Sequence, residues 1–213
     1  MKKIARLFLT VCLCLCFVSV IQVSSSAEQM LSGRRWCHMS NLNNNPRCDI
    51  KLNKDYLTGS YSGHVTQASQ NWNLYSGNKI YITSASFSSS NCDLSRYNLT
   101  WPYGSSVAAI TLVYDKNGNV YYTGQSSSGF GTRIKSGAIY FNPAHENADA
   151  IDLRQTIVHE IGHVVNMGHV MNSNTQTVMS GVYARSSCPW SNYDRPTAYD
   201  RSVLSSMYNQ LYS

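Results

Sequence analysis

Hydrophobic and polar residues follow two periods along this chain, and these periods predict its helices and strands. Apolar residues recur three or four positions apart where one face of an α-helix is buried. On this basis we predict helices over residues 58–72, 150–165 and 197–211. Alternating and β-branched residues predict strands over residues 79–87, 107–114, 120–123 and 138–142. Residues 28–53 show neither period and read as irregular.

Residues that favour turns and helix caps separate these elements. Asn117-Gly118 lies between two predicted strands and is a strong hairpin signal. Thr197, with Asp200 three residues later, is typical of a helix N-terminus. Strands in the first half of the chain, with helices around them, indicate an α+β domain.

The first 27 residues have a different character from the rest. Three basic residues precede an almost wholly apolar run over residues 7–23, and small residues follow at Ser25-Ser26-Ala27. This order predicts a secretory signal peptide, residues 1–27, that is cleaved after Ala27. A membrane anchor is the alternative, because the apolar run has borderline spanning length. Cleavage would leave an irregular N-terminal segment (28–49) and one domain (50–213) of a secreted protein without a membrane span.

The charge and cysteine content narrow the possible functions. The signal peptide holds three basic and no acidic residues, so its removal lowers the formal charge from +6 to +3. That excess is too small to argue for nucleic acid binding. Four cysteines remain, and an even number in an exported chain predicts two disulfides with three possible pairings. We favour Cys37–Cys48, which closes a short loop, and this choice leaves Cys92–Cys188.

The stretch HEIGHVVNMGH, residues 159–169, carries the most informative chemistry. His159 and His163 are four residues apart, so both imidazoles leave one face of a helix and suit one zinc ion. Glu160 can reach the same face without ligating and accept a proton from an attacking water. Solvated surface histidines are the alternative, but the apolar neighbours indicate a buried helix, where such side chains need a reason.

The third histidine requires a break in the helix. His169 lies six residues after His163, and a straight helix cannot place it beside the first two. The chain must turn sharply, which needs a residue with positive φ just past His163. Asparagine tolerates that conformation best after glycine. We therefore predict that Asn166 ends the helix and brings His169 to the metal.

This stretch resembles the H-E-x-x-H-x-x-G-x-x-H motif of the metzincin metallopeptidases, with Asn166 at the glycine position. Met179, in TVMS at residues 177–180, resembles the Met-turn of that family, although an ordinary core methionine is the alternative. Within the metzincins the chain is most similar to matrixins and their small bacterial relatives, above all over residues 150–211. The resemblance implies a metzincin-like zincin domain of α+β class, with a twisted mixed β-sheet, an active-site helix and a C-terminal helix.

The resemblance also implies a function, a zinc-dependent endopeptidase. It would hold one catalytic Zn²⁺ on His159, His163 and His169, with Glu160 as the general base. A protein or peptide substrate would pair as an extra strand with residues 120–125, and the loop over residues 180–196 would wall the pocket. An exported zinc-binding protein without turnover is the alternative, and another metal-dependent hydrolysis is a third possibility. We expect a monomer.

Three further features depart from the family or stay open. Tyr183 is a candidate for oxyanion support, although it follows Met179 by four residues rather than by two. Residues 115–119 (DKNGN) offer oxygen ligands for Ca²⁺, but a plain hairpin turn is the favoured interpretation. The Pro46-Arg47-Cys48 triplet resembles the core of the matrixin cysteine switch, in which a thiolate caps the zinc; the even cysteine count favours a disulfide instead.

Overall fold

A computed structural model describes residues 35–36, 39–40, 46–122, 133–170, 175–181 and 194–209. Within these ranges the strands are β1 (Arg35–Trp36), β2 (Met39–Ser40), β3 (Arg47–Tyr56), β4 (Ile80–Ser84), β5 (Cys92–Arg96), β6 (Ala109–Asp115), β7 (Val120–Tyr122) and β8 (Arg133–Phe141). The α-helices are α1 (Ser60–Tyr75), α2 (Ala150–Val164) and α3 (Ala198–Asn209). The predicted signal peptide (1–27) lies outside the described residues, as do Cys37, Tyr183 and Cys188.

The described strands form one mixed β-sheet. β3 is parallel to β4 and β5, and β5 is parallel to β8. β6 runs antiparallel to β8, and β7 pairs antiparallel with β6 at the edge of the sheet. The short strands β1 and β2 join β8 and β3. The α+β class with a mixed sheet, a histidine-bearing helix and a helix near the C-terminus is therefore confirmed.

Helices α1 and α2 cover one face of this sheet. Burial alternates along β6, where Ala109, Thr111 and Val113 are buried while the residues between them are partly exposed. Trp72 of α1 is fully buried, and its indole N–H donates to the backbone oxygen of Val158 in α2, at 3.0 Å. The core between the helices and the sheet thus holds α2, the helix of the histidine motif, in a fixed position.

The predicted helices and the hairpin agree with the structure, but the irregular reading of residues 28–53 is wrong where β1, β2 and the start of β3 form. β3 begins at Arg47, so the predicted domain boundary at residue 50 falls inside a strand. Cys48, Ile50 and Leu52 alternate with more exposed residues in the pattern of a half-buried strand. Because the preceding residues are rich in Asn and include Pro, the sequence pattern did not indicate that β3 begins here. The sequence reading also missed β5, a short strand with mostly polar side chains.

The cap predicted for α3 is present and reciprocal. The backbone N–H of Thr197 donates to Asp200 Oδ2 at 2.7 Å, and the N–H of Asp200 donates to Thr197 Oγ1 at 3.3 Å. Such a pair satisfies backbone donors that the first turn of a helix leaves open. Among the described residues, no helix is long and apolar enough to cross a membrane.

The structure does not support the cysteine assignments. Cys48 and Cys92 are both fully buried, and neither is in a disulfide; their expected partners, Cys37 and Cys188, lie outside the described residues, so both pairings stay predictions. The cysteine switch is not formed, because Cys48 lies within β3 and not in the histidine cluster. Burial also raises the pKa of the Cys48 thiol to about 12, which disfavours the thiolate that a metal ligand must supply.

The hairpin between β6 and β7 favours a turn over a calcium site. Asp115 Oδ1 accepts from the backbone N–H groups of Asn117 and Asn119, at 2.8 and 3.0 Å. Its Oδ2 accepts from the Asn119 amide at 2.8 Å and from the Tyr121 hydroxyl at 3.2 Å. Gly118 has a φ of 80°, which suits glycine in a tight turn. The carboxylate that would attract Ca²⁺ is thus engaged by donors of the turn itself.

Candidate metal centre

Helix α2 carries three polar side chains that are buried in the core. His159, Glu160 and His163 have exposed fractions of only 3, 5 and 4%. The helix begins at Asp149, whose carboxylate accepts from the N–H groups of Ile151 and Asp152, at 2.8 and 3.0 Å. Burial of such polar groups costs free energy unless they are paired or bind a ligand. The low exposure also shows that His159 and His163 are not solvated surface residues.

Asn166 ends this helix as predicted. Its φ is 72°, in the left-handed region, and it is buried. The N–H of Asn166 donates to the His163 oxygen at 2.9 Å, and the N–H of Met167 donates to the Gly162 oxygen at 3.0 Å. This pair of bonds is the Schellman arrangement, with Asn166 at the position that glycine usually takes. The reversal brings His169 back over the face that carries the other two histidines.

The three imidazoles converge on one point. The Nε2 atom of His169 lies 3.0 Å from the Nε2 atoms of both His159 and His163. Tetrahedral zinc, with zinc–nitrogen distances of about 2.0–2.1 Å, separates its ligand nitrogens by roughly 3.3–3.4 Å. The observed spacing is therefore close to that of a filled site. These three side chains can hold a metal ion such as zinc.

Backbone carbonyls fix two of the rings in the protonation state that a metal needs. His159 Nδ1 lies 2.8 Å from the Val178 oxygen, and His163 Nδ1 lies 2.8 Å from the Met167 oxygen. Because a carbonyl oxygen only accepts, each Nδ1 carries the hydrogen and each Nε2 presents a lone pair. Burial lowers the pKa of all three histidines, that of His159 to about 3. The rings are therefore neutral and ready to ligate at neutral pH.

Met179, the residue that resembles the Met-turn methionine, packs against helix α2 between its two histidines. It is fully buried, and its sulfur occupies the space that a side chain on Gly162 would need. The backbone also ties this turn to the third ligand. The N–H of Val170 donates to the Met179 oxygen at 2.8 Å, just after His169.

Asp200 of helix α3 anchors the same turn from the other side. This carboxylate is fully buried and accepts from the Thr177 hydroxyl at 2.5 Å and from the Val178 N–H at 3.2 Å. Val178 is the residue whose carbonyl orients His159. At the other end of α3, the Tyr208 hydroxyl donates to the Val165 oxygen at 3.1 Å, where α2 ends. The sequence identified Asp200 only as part of a helix cap and gave no sign of these longer contacts.

The carboxyl group of Glu160 faces strand β6. Thr111 Oγ1 lies 2.5 Å from Glu160 Oε2 and 3.1 Å from the Glu160 backbone oxygen. Burial raises the pKa of Glu160 to about 7, while the hydrogen bond from Thr111 acts in the opposite direction. A carboxyl with a pKa near neutrality suits proton transfer. The sequence placed Thr111 in a strand but did not indicate this contact.

A cavity of about 430 Å³ adjoins the histidines and Glu160. Its walls come from residues 106–111, which lead into and begin β6, from the middle and last turns of α2, and from His169. The lining residues are Ser106, Val107, Ala108, Ala109, Ile110, Thr111, Gln155, Thr156, His159, Glu160, His163 and His169. β7 pairs with residues 112–114 of β6, so the cavity lies against the preceding residues. Residues 120–122 form β7 at the edge of the sheet, as expected, but they do not line this cavity. Pairing of a substrate with residues 120–125 stays a prediction, and residues 123–125 lie outside the described part of the chain. The predicted pocket wall over 180–196 also lies mostly outside the described part of the chain.

Comparisons with known sequences assign this chain to no family. No protein-family profile and no curated protein sequence matches the chain. Among solved structures, the structure of myroilysin matches with 12% sequence identity and a TM-score of 0.46, over 75% of this chain and 80% of that chain.

Proposed function

We propose that this protein is a secreted, matrixin-like zinc endopeptidase that hydrolyses peptide bonds in proteins or peptides. The observation that carries the proposal is the convergence of three neutral histidine Nε2 atoms beside the buried carboxyl of Glu160. Three histidine ligands leave a fourth position open, as in catalytic rather than structural zinc sites.

In this proposal, the histidines and Glu160 have different roles in hydrolysis. A zinc ion on His159, His163 and His169 supplies Lewis acidity, which acidifies water and polarises a peptide carbonyl beside it. Glu160 ligates nothing in this arrangement and is free to take the proton from the attacking water. The same carboxyl then returns the proton to the departing amine. The cavity beside Glu160 is large enough to receive one substrate side chain.

Within the described part of the chain, no strand pairs with residues 109–111 of β6 on the side away from β8, and this side would be the backbone edge for the substrate. The N–H of Asn142 donates to the Ala108 oxygen, so the peptide groups of Ala108 bond towards β8. Antiparallel pairing alternates, and the peptide groups of Ala109 therefore point to the opposite side, over the cavity. An extended peptide can pair there as an additional strand.

Digestion of casein by the purified mature chain tests the proposal. We expect cleavage that a zinc chelator abolishes and that added Zn²⁺ restores. Glu160→Ala should retain zinc, as measured by elemental analysis, and should lose activity by roughly 10²-fold or more. Zinc bound without cleavage of casein or of a peptide library would instead support a binding protein without turnover.

Export is tested separately. N-terminal sequencing of protein recovered from the medium of expressing bacteria should begin at Glu28, and size-exclusion chromatography should give a monomer. Protein retained in the membrane with residues 1–27 attached would support the anchor alternative.

A further inference from the structure

The catalytic carboxyl of Glu160 has one side-chain partner in the described part of the chain. That partner is Thr111, whose hydroxyl lies 2.5 Å from Glu160 Oε2. Such a distance is typical of a hydroxyl that donates to an ionised carboxylate. Glu160 is only 5% exposed, so the contact is largely shielded from bulk water. The hydrogen bond therefore fixes which way the carboxylate faces.

The Thr111 hydroxyl has one hydrogen to give, and two oxygens of Glu160 lie within its reach. The backbone oxygen of Glu160 lies 3.1 Å away, farther than the carboxylate oxygen. The shorter distance and the charge of the carboxylate both favour donation to Oε2. Oε1 then stays available to accept a proton from water at the metal centre.

Thr111 also belongs to the strand on which the substrate would lie. It lines the cavity together with residues 106–110, and it is the last of these before β7 begins to pair. Its side chain points to the helix side of the sheet, as does that of Ala109 two residues earlier. One strand thus carries both the docking edge and the group that orients the base.

We propose that Thr111 is a positioning residue, which holds the Glu160 carboxylate so that a substrate docked on β6 meets a correctly aligned general base. The inference rests on the proposed peptidase function. It requires that loss of the hydroxyl affects turnover rather than substrate binding, because Thr111 bonds to the base through its side chain.

The test compares Thr111→Val, which has the same shape without the hydroxyl, with Thr111→Ser, which keeps it. With a fluorogenic peptide taken from a mapped casein cleavage site, kcat of the valine variant should fall about 10- to 100-fold, with KM within about twofold. The serine variant should recover to within about threefold of wild type. Zinc content should stay at one ion per chain in both variants.

Thr83→Val on the distant strand β4 is the matched control and should leave kcat unchanged, since Thr83 is exposed. If Thr111→Val does not fold, Thr111→Ala replaces it, with the same expected loss of kcat. An unchanged kcat in the hydroxyl-free variant overturns the inference. So does a loss that serine does not restore, or one that follows zinc content, since each indicates a structural role. A wild-type protein that binds zinc but cleaves no peptide overturns the proposed function and this inference with it.

Discussion

Replacing Glu160 by glutamine should change how the stability of the metal-free protein depends on pH. Burial raises the pKa of this carboxyl from an ordinary value of 4.5 to about 7. Between these values the folded chain holds a proton that the unfolded chain has released. The contribution of Glu160 to stability is therefore fully present below about pH 4.5 and is lost as the pH rises through about 7.

The size of this effect follows from the two pKa values. At about 1.4 kcal/mol per pH unit, the interval corresponds to a loss of about 3 kcal/mol in the free energy of unfolding. Glutamine has nearly the same shape, accepts from Thr111 in the same way and does not titrate. The stability of the glutamine variant relative to wild type should thus rise by about 3 kcal/mol between pH 4.5 and 7 and stay constant above.

Urea denaturation of chelator-treated protein at pH 4, 5.5, 7 and 8.5 measures the difference. The histidines titrate in both proteins, so comparison of the two cancels most of their contribution. Asp55→Asn, at an exposed position, is the control and should stay within about 0.5 kcal/mol of wild type at every pH. Parallel stability profiles for wild type and the glutamine variant would refute the reasoning, because they would show that Glu160 ionises in the folded state as it does in the unfolded chain.

Three further predictions concern the supports of the metal centre. Asn166→Gly should keep zinc affinity, whereas Asn166→Val should weaken it by up to roughly tenfold, because a β-branched residue in the left-handed conformation costs about 1–2 kcal/mol. Competition with a chromophoric chelator measures the zinc affinity of each variant, and equal affinities would exclude the hinge role. Gly162→Ala forces a methyl group against Met179 and should lower the free energy of unfolding by about 1–3 kcal/mol in urea titrations, an expectation that an unchanged midpoint would contradict. Asp200→Ala leaves the Val178 N–H without its acceptor, so it should lower the free energy of unfolding in urea titrations by about 1–3 kcal/mol and weaken zinc binding. Normal stability and zinc affinity would show that the contacts of Asp200 are dispensable.

The sequence predicted the parts of this site that depend on local chain geometry. The spacing of His159, His163 and His169 and the left-handed Asn166 follow from helix periodicity and from the backbone preference of asparagine. The structure brings all three histidines together at that reversal. Local rules suffice here because eleven consecutive residues contain both the ligands and the turn.

Local sequence rules could not predict contacts between segments that are distant along the chain. Thr111 and Glu160 are 49 residues apart, and only the packing of α2 on the sheet brings them together. The family resemblance implied that residues 120–125 pair with substrate, whereas the cavity beside the histidines is lined by residues 106–111. The start of β3 was missed since the alternation from Cys48 to Leu52 is short and follows a polar, proline-containing stretch.

The position of helix α3 in the sequence affects when the histidine site can form during synthesis of the chain. This helix is synthesised after the three histidines, yet Asp200 and Tyr208 hold the Met179 turn and the end of α2 in place. While the ribosome is still producing α3, the turn whose Val178 carbonyl orients His159 lacks the support of Asp200. We therefore expect the three histidines to reach their metal-binding geometry only after α3 has docked, late in synthesis of the chain.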